Sequence, residues 1–235
     1  MEGMARAKSS PKSLIGRETF RFFRELARNN RTEWMEANRD RYKECVVRPL
    51  RALCEELTPA VLRLNPGFDC TGRSGANFSR INRDTRFAND KTPYRAQMYL
   101  KFGVPFPGEG ESGQLYAGFG VDAVTVGFRI YSGSKRRESA LALVAEPRLE
   151  ANPRWLAQQK GRLGRRYESY WYSTEKGEWT KHSGWPASEN WSRVKGWIVR
   201  RKLSPEAATR ASFPGELSKI FRELYPLLQF TSLRD

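Results

Sequence analysis

The sequence predicts an α+β fold in which N-terminal and C-terminal helices cover a mainly antiparallel sheet. Three observations support it: apolar residues recur at helical spacing near both ends, extended segments fill the middle, and 39% of the 235 residues are hydrophobic. Helices segregated from a run of consecutive strands are typical of this architecture. The length suits one domain, so we expect a flexible tail over residues 1–13 and a single domain over residues 14–235.

The first part of the chain has the apolar spacing of helices. One helix begins at Arg17, where aromatic and aliphatic residues recur every three or four positions. Asn30 followed three residues later by Glu33 is typical of a capping box and predicts a new helical start. Pro49 cannot donate a hydrogen bond to the preceding turn, so we expect it to interrupt or kink the apolar stripe. The resulting helices would span residues 31–47 and 49–64.

Extended segments follow the Asn-Pro-Gly turn at residues 65–67. Four of them have the composition of strands, and they cover residues 76–82, 96–104, 114–119 and 123–131. Short links between consecutive strands favour antiparallel pairing. A longer link, residues 105–113, contains Pro, Gly, Glu and Ser, and we expect it to project as a polar loop.

Helices return after the fourth strand. Residues 134–145 have helical character, and Pro153 occupies the tolerated first turn of another helix. Two further strands are predicted at residues 167–172 and 194–200. A last helix begins at Pro214 with apolar residues at helical spacing, and we expect Pro226 to end it.

Several classes of protein lack support in the sequence. No apolar run is long enough to cross a membrane and the first residues have no signal-peptide core, so we expect a cytoplasmic protein without a membrane partner. Cys45, Cys54 and Cys70 form no C-x-x-C pair, which argues against a disulfide framework or zinc knuckle. The single histidine, His182, lies in a polar stretch and is expected at the surface. No metal site is indicated, and the cofactor is left open.

Positive charge is a dominant property of the chain. Lys and Arg together number 42 against 26 Asp and Glu, which gives a formal net charge of +16. Such a potential raises the local concentration of nucleic acid, anionic lipid head groups or small phosphorylated ligands. The basic region at residues 135–210 also holds six of the seven tryptophans. They are Trp155, Trp171, Trp179, Trp185, Trp191 and Trp197.

Two interpretations of this tryptophan-rich region are open. Indole faces among basic side chains suit the stacking of single-stranded bases, which predicts a nucleic-acid-binding module. Alternatively, the rings are half-buried in the domain, with arginine stems laid across them. A non-catalytic interaction domain is a further alternative, and the sequence leaves open whether the protein is an enzyme.

One turn-rich segment, residues 78–95, concentrates charged and short polar side chains, and we call it the central segment. Its five cations are Arg80, Arg83, Arg86, Lys91 and Arg95, and its two carboxylates are Asp84 and Asp90. Guanidinium groups are rigid bidentate donors for phosphate or carboxylate. We therefore predict an arginine-rich anion pocket built from these residues, with Tyr94 as a further ligand-binding residue. Its partner would be a phosphate- or carboxylate-bearing ligand.

This segment also has a purely structural interpretation. In the functional one, the turn at residues 88–90 folds the later cations back towards Arg80 and creates a positive pocket. In the structural one, Asp84 pairs with a neighbouring arginine, Asp90 caps the turn ahead of Thr92, and the pairs hold the sheet to the first helices. Phe87 and Tyr94 would then be core anchors. Ion-pair networks often imitate sites, so both interpretations stay open.

Catalysis at this segment would need a general acid or base beside the cations. Asp84 and Asp90 are the nearby carboxylates in sequence, and Tyr94 or Thr92 could donate to a leaving oxygen. Phosphoryl or phosphodiester hydrolysis with Asp84 holding Mg²⁺ is one such reaction, although magnesium sites usually gather carboxylates from separate elements. The N-terminal string, residues 22–42, supplies further candidate site residues whose simpler role is capping and packing. They are Asn29, Asn30, Glu33, Trp34 and Asn38.

Two strings together resemble a known family. Residues 22–42 read F-F-R-E-L-A-R-N-N-R-T-E-W-M-E-A-N-R-D-R-Y, similar to an L-x-x-N-N-x-x-x-W opening. Residues 80–95 read R-I-N-R-D-T-R-F-A-N-D-K-T-P-Y-R, similar to an R-x-x-R-D-x-R-F-x-x-D-K-x-P-Y centre. Both patterns are those of the bacterial and fungal domain-of-unknown-function 2461 family. The resemblance covers nearly the whole chain and implies a shared fold and a marked central segment, without implying a mechanism.

Overall fold

A computed structural model describes residues 13–86, 89–104, 113–132 and 140–231 of the protein. Six strands are found within these residues, and every pairing between them is antiparallel. They are β1 (Met98–Phe102), β2 (Gln114–Phe119), β3 (Val124–Tyr131), β4 (Glu168–Glu175), β5 (Glu178–Ser183) and β6 (Gly196–Leu203). They form one sheet in the order β1-β2-β3-β6-β4-β5. The predicted polar loop lies outside the described residues except for Gly113.

Helices stand at both ends of the chain, which confirms the predicted α+β class. Those before the sheet are α1 (Arg17–Arg28), α2 (Thr32–Ala37), α3 (Arg39–Tyr42), a π-helical turn (Lys43–Val47) and α4 (Arg48–Leu64). Those after β3 are α5 (Ala140–Ala151), α6 (Trp155–Leu163), a 3₁₀ helix (Ser188–Arg193), α7 (Pro205–Ala208) and α8 (Phe213–Thr231). None of the described helices combines the length and apolar character needed to cross a membrane.

The core lies between one face of the sheet and the helices α4 and α8. Helix α8 contacts β2 and β3 and packs against α4. Phe102 of β1 meets Phe221 of α8 with ring centroids 5.9 Å apart, and both rings are fully buried. Because successive strand residues point to opposite faces, the other face of the sheet carries a separate set of side chains. We call it the outer face, and it includes Tyr99, Lys101, Tyr116, Arg129, Tyr131, Tyr170, Tyr172, Trp179, Lys181, Arg200 and Lys202.

The predicted interruption at Pro49 takes the form of a π-helical turn rather than a break. In an α-helix the carbonyl of Cys45 would accept from the N–H of residue 49, which proline lacks. The buried hydroxyl of Thr19 donates to this carbonyl instead, at 2.6 Å. The helical path therefore continues into α4, and α1 is tied to it.

The predicted capping box at Asn30 is wrong. Helix α2 begins at Thr32, and no side chain caps its first turn. The amide of Asn30 is turned instead towards the backbone of Tyr94, with which it makes two hydrogen bonds. Asn30 therefore bonds to the N–H and C=O of Tyr94, which is distant in sequence, instead of capping α2.

The predicted strand at residues 76–82 is also wrong. This segment pairs with β1 at Phe78 and then turns to pair with Tyr94 through Asn82, so only isolated bridges form. A change of partner within a few residues prevents a continuous ladder. The strands predicted at residues 96–104, 114–119 and 123–131 are confirmed as β1, β2 and β3, and those at 167–172 and 194–200 as β4 and β6.

Pro226 does not end the last helix, contrary to prediction. Helix α8 continues to Thr231. Proline removes one backbone hydrogen bond, but Leu224, Leu227 and Leu228 remain buried along one face. Packing of that face against the sheet outweighs the lost bond, since tertiary contacts supply most of the stability of a helix in a protein.

Candidate anion-binding site

An open groove of about 830 Å³ lies beside β1 at the edge of the outer face. We call it the cationic groove. Its basic lining residues are Arg80, Arg83, Arg86, Arg95, Lys101 and Arg129. Asp84 is the acidic residue among the described side chains that line it. The groove therefore brings together four of the five cations predicted from the central segment and adds two from the sheet.

The backbone next to β1 fixes the first wall of the groove. The amide N–H of Ser79 donates to the Tyr99 carbonyl at 3.0 Å, and the N–H of Lys101 donates to the Asn77 carbonyl at 2.7 Å. The buried Asn77 amide donates to the carbonyls of Asp69 and Lys101 at 2.6 and 3.0 Å. Arg80 follows this fixed stretch directly, so its Cα is held at the rim.

A short antiparallel pairing fixes the opposite wall. The N–H of Arg95 donates to the Ile81 carbonyl, and the N–H of Arg83 donates to the Pro93 carbonyl, both at 2.8 Å. Between them, Asn30 donates to the Tyr94 carbonyl at 2.8 Å and accepts from the Tyr94 N–H at 3.0 Å. The N-terminal string and the central segment are thus parts of one assembly.

Arg83 and Asp90 form an ion pair that closes the turn. The guanidinium of Arg83 also donates to the Thr92 hydroxyl at 2.8 Å. Asp90 accepts from the Thr92 N–H and hydroxyl at 2.9 and 2.8 Å. These bonds, led by the Thr92 N–H, lower the pKa of Asp90 to about 2. A carboxylate of so low a pKa is a weak base at neutral pH, which disfavours Asp90 as a general base.

Asp84 and Arg86 form a second local pair. The Arg86 guanidinium donates two hydrogen bonds to the carboxylate, at 3.0 and 2.8 Å, and the Arg86 N–H donates a third at 3.2 Å. The Arg86 side chain and this backbone bond lower the pKa of Asp84. Lys91 donates to the Thr85 carbonyl at 3.0 Å and also holds the turn. Phe87, predicted as a core anchor, lies outside the described residues.

Arg80 and Arg95 differ from these paired arginines. Both side chains are exposed, and within the described parts of the chain neither makes a hydrogen bond or an ion pair. Lys101 is half-buried and donates to the Gly75 carbonyl at 2.9 Å. Burial, followed by the charge of Arg129, lowers the pKa of Lys101. The described side chains therefore neutralise the positive charge of the groove only in part.

The remaining predicted site residues lie beside the groove rather than in it. Asp90 and Tyr94 line an adjacent hollow, and Tyr94 is only 6% exposed, as expected of a core anchor. A second hollow of about 450 Å³ adjoins the groove through Phe78 and Arg80. Its apolar lining residues are Tyr42, Val47, Phe78, Ile81 and Met98. A ligand held in the groove could place a nonpolar part there.

Lys101 and Arg129 line the groove but were not predicted from the sequence as site residues. Each is a polar residue at an alternate position of a predicted strand, which marks it as facing away from the core. Nothing local indicates that they approach the central segment, because that depends on the pairing of residues 77–79 with β1.

The tryptophan-rich region is mostly core. Trp171, Trp191 and Trp197 are buried, and Trp155 stacks on Phe230 with ring centroids 3.7 Å apart. Trp185 packs edge-on against Trp197. Trp179 is the exception, because 54% of it is exposed. Base stacking along this row of tryptophans is therefore not supported, and the packing interpretation is.

His182 lies in a partly buried cluster rather than at an open surface. Its Nε2 is 2.7 Å from the Ser173 hydroxyl and 3.6 Å from a Glu175 carboxylate oxygen, and its ring stacks on Trp171 at 4.0 Å. A Ser-His-acid triad uses the two ring nitrogens for different partners. Here one nitrogen faces both groups and the serine is buried, so the cluster lacks the geometry of a nucleophilic site.

In the described residues, no three or more His, Cys, Asp or Glu side chains come together where a metal ion could be held. Comparison with protein families gives a match over most of the chain. The model of DUF2461, described as a conserved hypothetical protein, matches residues 18–230. No curated protein is similar enough to the chain to count as a relative. The matched range includes both walls of the cationic groove.

Proposed function

Since the chain belongs to the DUF2461 family, whose description assigns no activity, we propose from the geometry alone that the cationic groove binds a phosphorylated or carboxylated ligand. The observation that carries the proposal is the presence of two exposed guanidinium groups, those of Arg80 and Arg95, without a partner among the described residues. Each could donate two parallel hydrogen bonds to one oxyanion.

The other cations support binding in a different way. Arg83 and Arg86 are engaged by Asp90 and Asp84, so they fix the shape of the turn and add to the potential of the groove. Lys101 can reach an anion with donors that its bond to Gly75 leaves free, since an ammonium has three. We therefore assign direct contact to Arg80, Arg95 and Lys101.

Binding without hydrolysis is the better supported activity. Of the two carboxylates predicted as catalytic, Asp90 lies outside the groove and Asp84 is held by Arg86. Both have lowered pKa values, so neither is suited to donate a proton near neutral pH. Asp84 alone also offers fewer ligands than magnesium usually receives from a protein and its substrate.

Titration calorimetry with inorganic phosphate, pyrophosphate and citrate tests the proposal. We expect saturable binding to the wild-type protein and a loss of about 10-fold or more in each of Arg80→Ala and Arg95→Ala, because a hydrogen bond to a charged group contributes about 1.5–3 kcal/mol. Arg222→Ala is the matched control, since Arg222 is an exposed arginine of α8. Equal affinity in all three variants, or no saturable binding of any anion, would refute the proposal.

A further inference from the structure

The outer face carries an exposed aromatic cluster distant in sequence from the central segment. Among the described residues, the large hydrophobic side chains with substantial exposure are Tyr131, at 38%, and Trp179, at 54%. Their ring centroids are 6.3 Å apart, and Tyr172 lies 6.0 and 5.8 Å from them. We call Tyr131, Tyr172 and Trp179 the aromatic patch. Scattered exposed rings are ordinary, but three rings in mutual contact form a surface that can hold a partner.

A glycine makes room for this patch. Gly196 pairs with Tyr131 on one side and Tyr172 on the other. A Cβ atom at Gly196 would lie 2.6 Å from the ring of Tyr131, so the ring occupies the space that a side chain would fill. The same arrangement recurs at Gly118, where a Cβ atom would lie 2.4 Å from the ring of Tyr99. Aromatic rings thus lie close against the bare backbone at two places on one face.

Basic side chains lie next to the aromatic patch, around Tyr170, whose ring centroid is 5.8 Å from that of Tyr172. The ammonium of Lys181 lies 4.1 Å from the centre of the Tyr170 ring, and the Arg200 guanidinium lies 5.0 Å from it. The strand positions of the outer face carry one carboxylate, that of Glu168, which pairs with Arg200 and Lys202. Its cations are Lys101, Arg129, Lys181, Arg200 and Lys202. The excess of positive charge favours a polyanionic partner.

From these features we infer that the outer face binds single-stranded nucleic acid. Bases stack on Tyr131 and Trp179, and phosphates meet Lys181, Arg129 and Arg200. Exposed aromatic rings and cations are the two components of single-strand binding surfaces, because every base has a face that can stack and every nucleotide carries a charge. A duplex keeps its bases stacked on one another and could use only the cations. The rings of the patch come from β3, β4 and β5 and converge, with centroids 5.8 to 6.3 Å apart, so the stacking surface is compact.

This inference is independent of the proposed function. The patch lies towards the β5 edge of the sheet, whereas Arg80 and Arg95 lie beside β1 at the other edge. Arg129 is shared, since it lines the cationic groove and stands on the outer face. A bound strand could therefore extend towards the groove, but its stacking contacts do not require the groove.

Fluorescence anisotropy with labelled oligo(dT) and oligo(U) tests the inference at two salt concentrations. We expect binding that weakens steeply with salt. Trp179→Ala and Tyr131→Ala should each weaken it about 5- to 100-fold without changing the salt dependence, whereas Trp179→Phe should stay near wild type. Lys181→Ala should instead reduce the slope of log affinity against log salt by about one. Arg222→Ala is the charge control, and melting temperatures verify that the variants fold.

Several outcomes would overturn the inference. They are the absence of binding at low salt, unchanged affinity in the double variant Trp179→Ala/Tyr131→Ala, and equal affinity for duplex and single strand. Preference between oligo(dT) and oligo(U) distinguishes DNA from RNA as the source of the strand. If phosphate binds in the groove and oligonucleotides do not bind at all, this inference fails while the proposed function stands.

Discussion

Replacement of Asn30 by alanine tests whether the N-terminal helices hold the cationic groove in place. Asn30 satisfies both the N–H and the C=O of Tyr94, at 3.0 and 2.8 Å. Tyr94 is only 6% exposed, so water could replace these bonds only in part. A buried polar group left without a partner costs about 1–3 kcal/mol. We therefore expect the free energy of unfolding to fall by about 3 kcal/mol for the two groups together.

Urea unfolding followed by tryptophan fluorescence measures this loss directly. In a thermal scan the same loss should lower Tm by about 6–12 °C, since each kcal/mol shifts Tm by about 2–4 °C in a domain of this size. Asn38→Ala is the matched control, because the Asn38 amide donates to the Trp34 carbonyl at 2.9 Å within its own helical segment. That variant should lose less than about 1.5 kcal/mol.

Asn30→Ala should also bind phosphate less well than the wild-type protein. Arg95 follows Tyr94 directly, so a loosened Tyr94 backbone leaves the Arg95 guanidinium less well positioned. The reasoning is refuted if Asn30→Ala and Asn38→Ala lose equal stability, because the long-range bonds would then contribute nothing beyond an ordinary local one. A stable Asn30→Ala variant with unchanged phosphate affinity would refute it equally.

Three further predictions concern stability and pH. Thr19→Val removes the hydroxyl that donates to the Cys45 carbonyl, so urea unfolding should show a loss of about 1–3 kcal/mol, and a smaller loss in a Pro49→Ala background that restores an N–H. The bonds from Thr92 and Arg83 lower the pKa of Asp90 to about 2, below that of an unfolded aspartate. The ionised Asp90 carboxylate should therefore stabilise the folded state above about pH 4, and this contribution should disappear as the pH falls towards 2. Acid unfolding of Asp90→Asn should lack this part of the transition, and an unchanged acid midpoint would contradict the assignment. Because burial and Arg129 lower the pKa of Lys101, phosphate affinity in calorimetric titrations should decline as the pH rises towards that lowered value. Lys101→Met should bind more weakly and with a flatter pH dependence, whereas an unaltered pH profile would exclude Lys101 from the site.

Local patterns predicted those elements whose burial is decided by their own residues. Phe20, Phe23 and Leu26 recur at helical spacing and are all buried in α1. Apolar residues alternate with other residues along β3 just as clearly, and Val124 and Val126 are buried in the core. In both cases the apolar residues of the element itself define its buried face. The spacing of these residues along the sequence is therefore enough to identify the helix or strand.

Predictions failed where a distant partner decides the local structure. Asn30 had the spacing of a cap but found the backbone of Tyr94, 64 residues away. Residues 76–82 had the composition of a strand but divide their bonds between β1 and residues 93–95. For the same reason the central arginines could be named from sequence, whereas Lys101 and Arg129 required the pairing of the sheet. Sequence period describes one element at a time and carries no information on register between elements.

The positions of the two aspartates divide the central arginines into structural and exposed members. Asp84 is two residues from Arg86, and Asp90 meets Arg83 across the turn, so each acid satisfies a nearby base. Arg80 and Arg95 stand outside this turn, and the bond from the Arg95 N–H to the Ile81 carbonyl brings their ends of the segment together. Both line the groove, and no carboxylate of the described residues pairs with either guanidinium. In the proposed site, a bound oxyanion would supply that negative charge. Phosphate should therefore raise the Tm of the wild-type protein more than that of Arg80→Ala, and equal shifts in both proteins would show that the anion acts elsewhere.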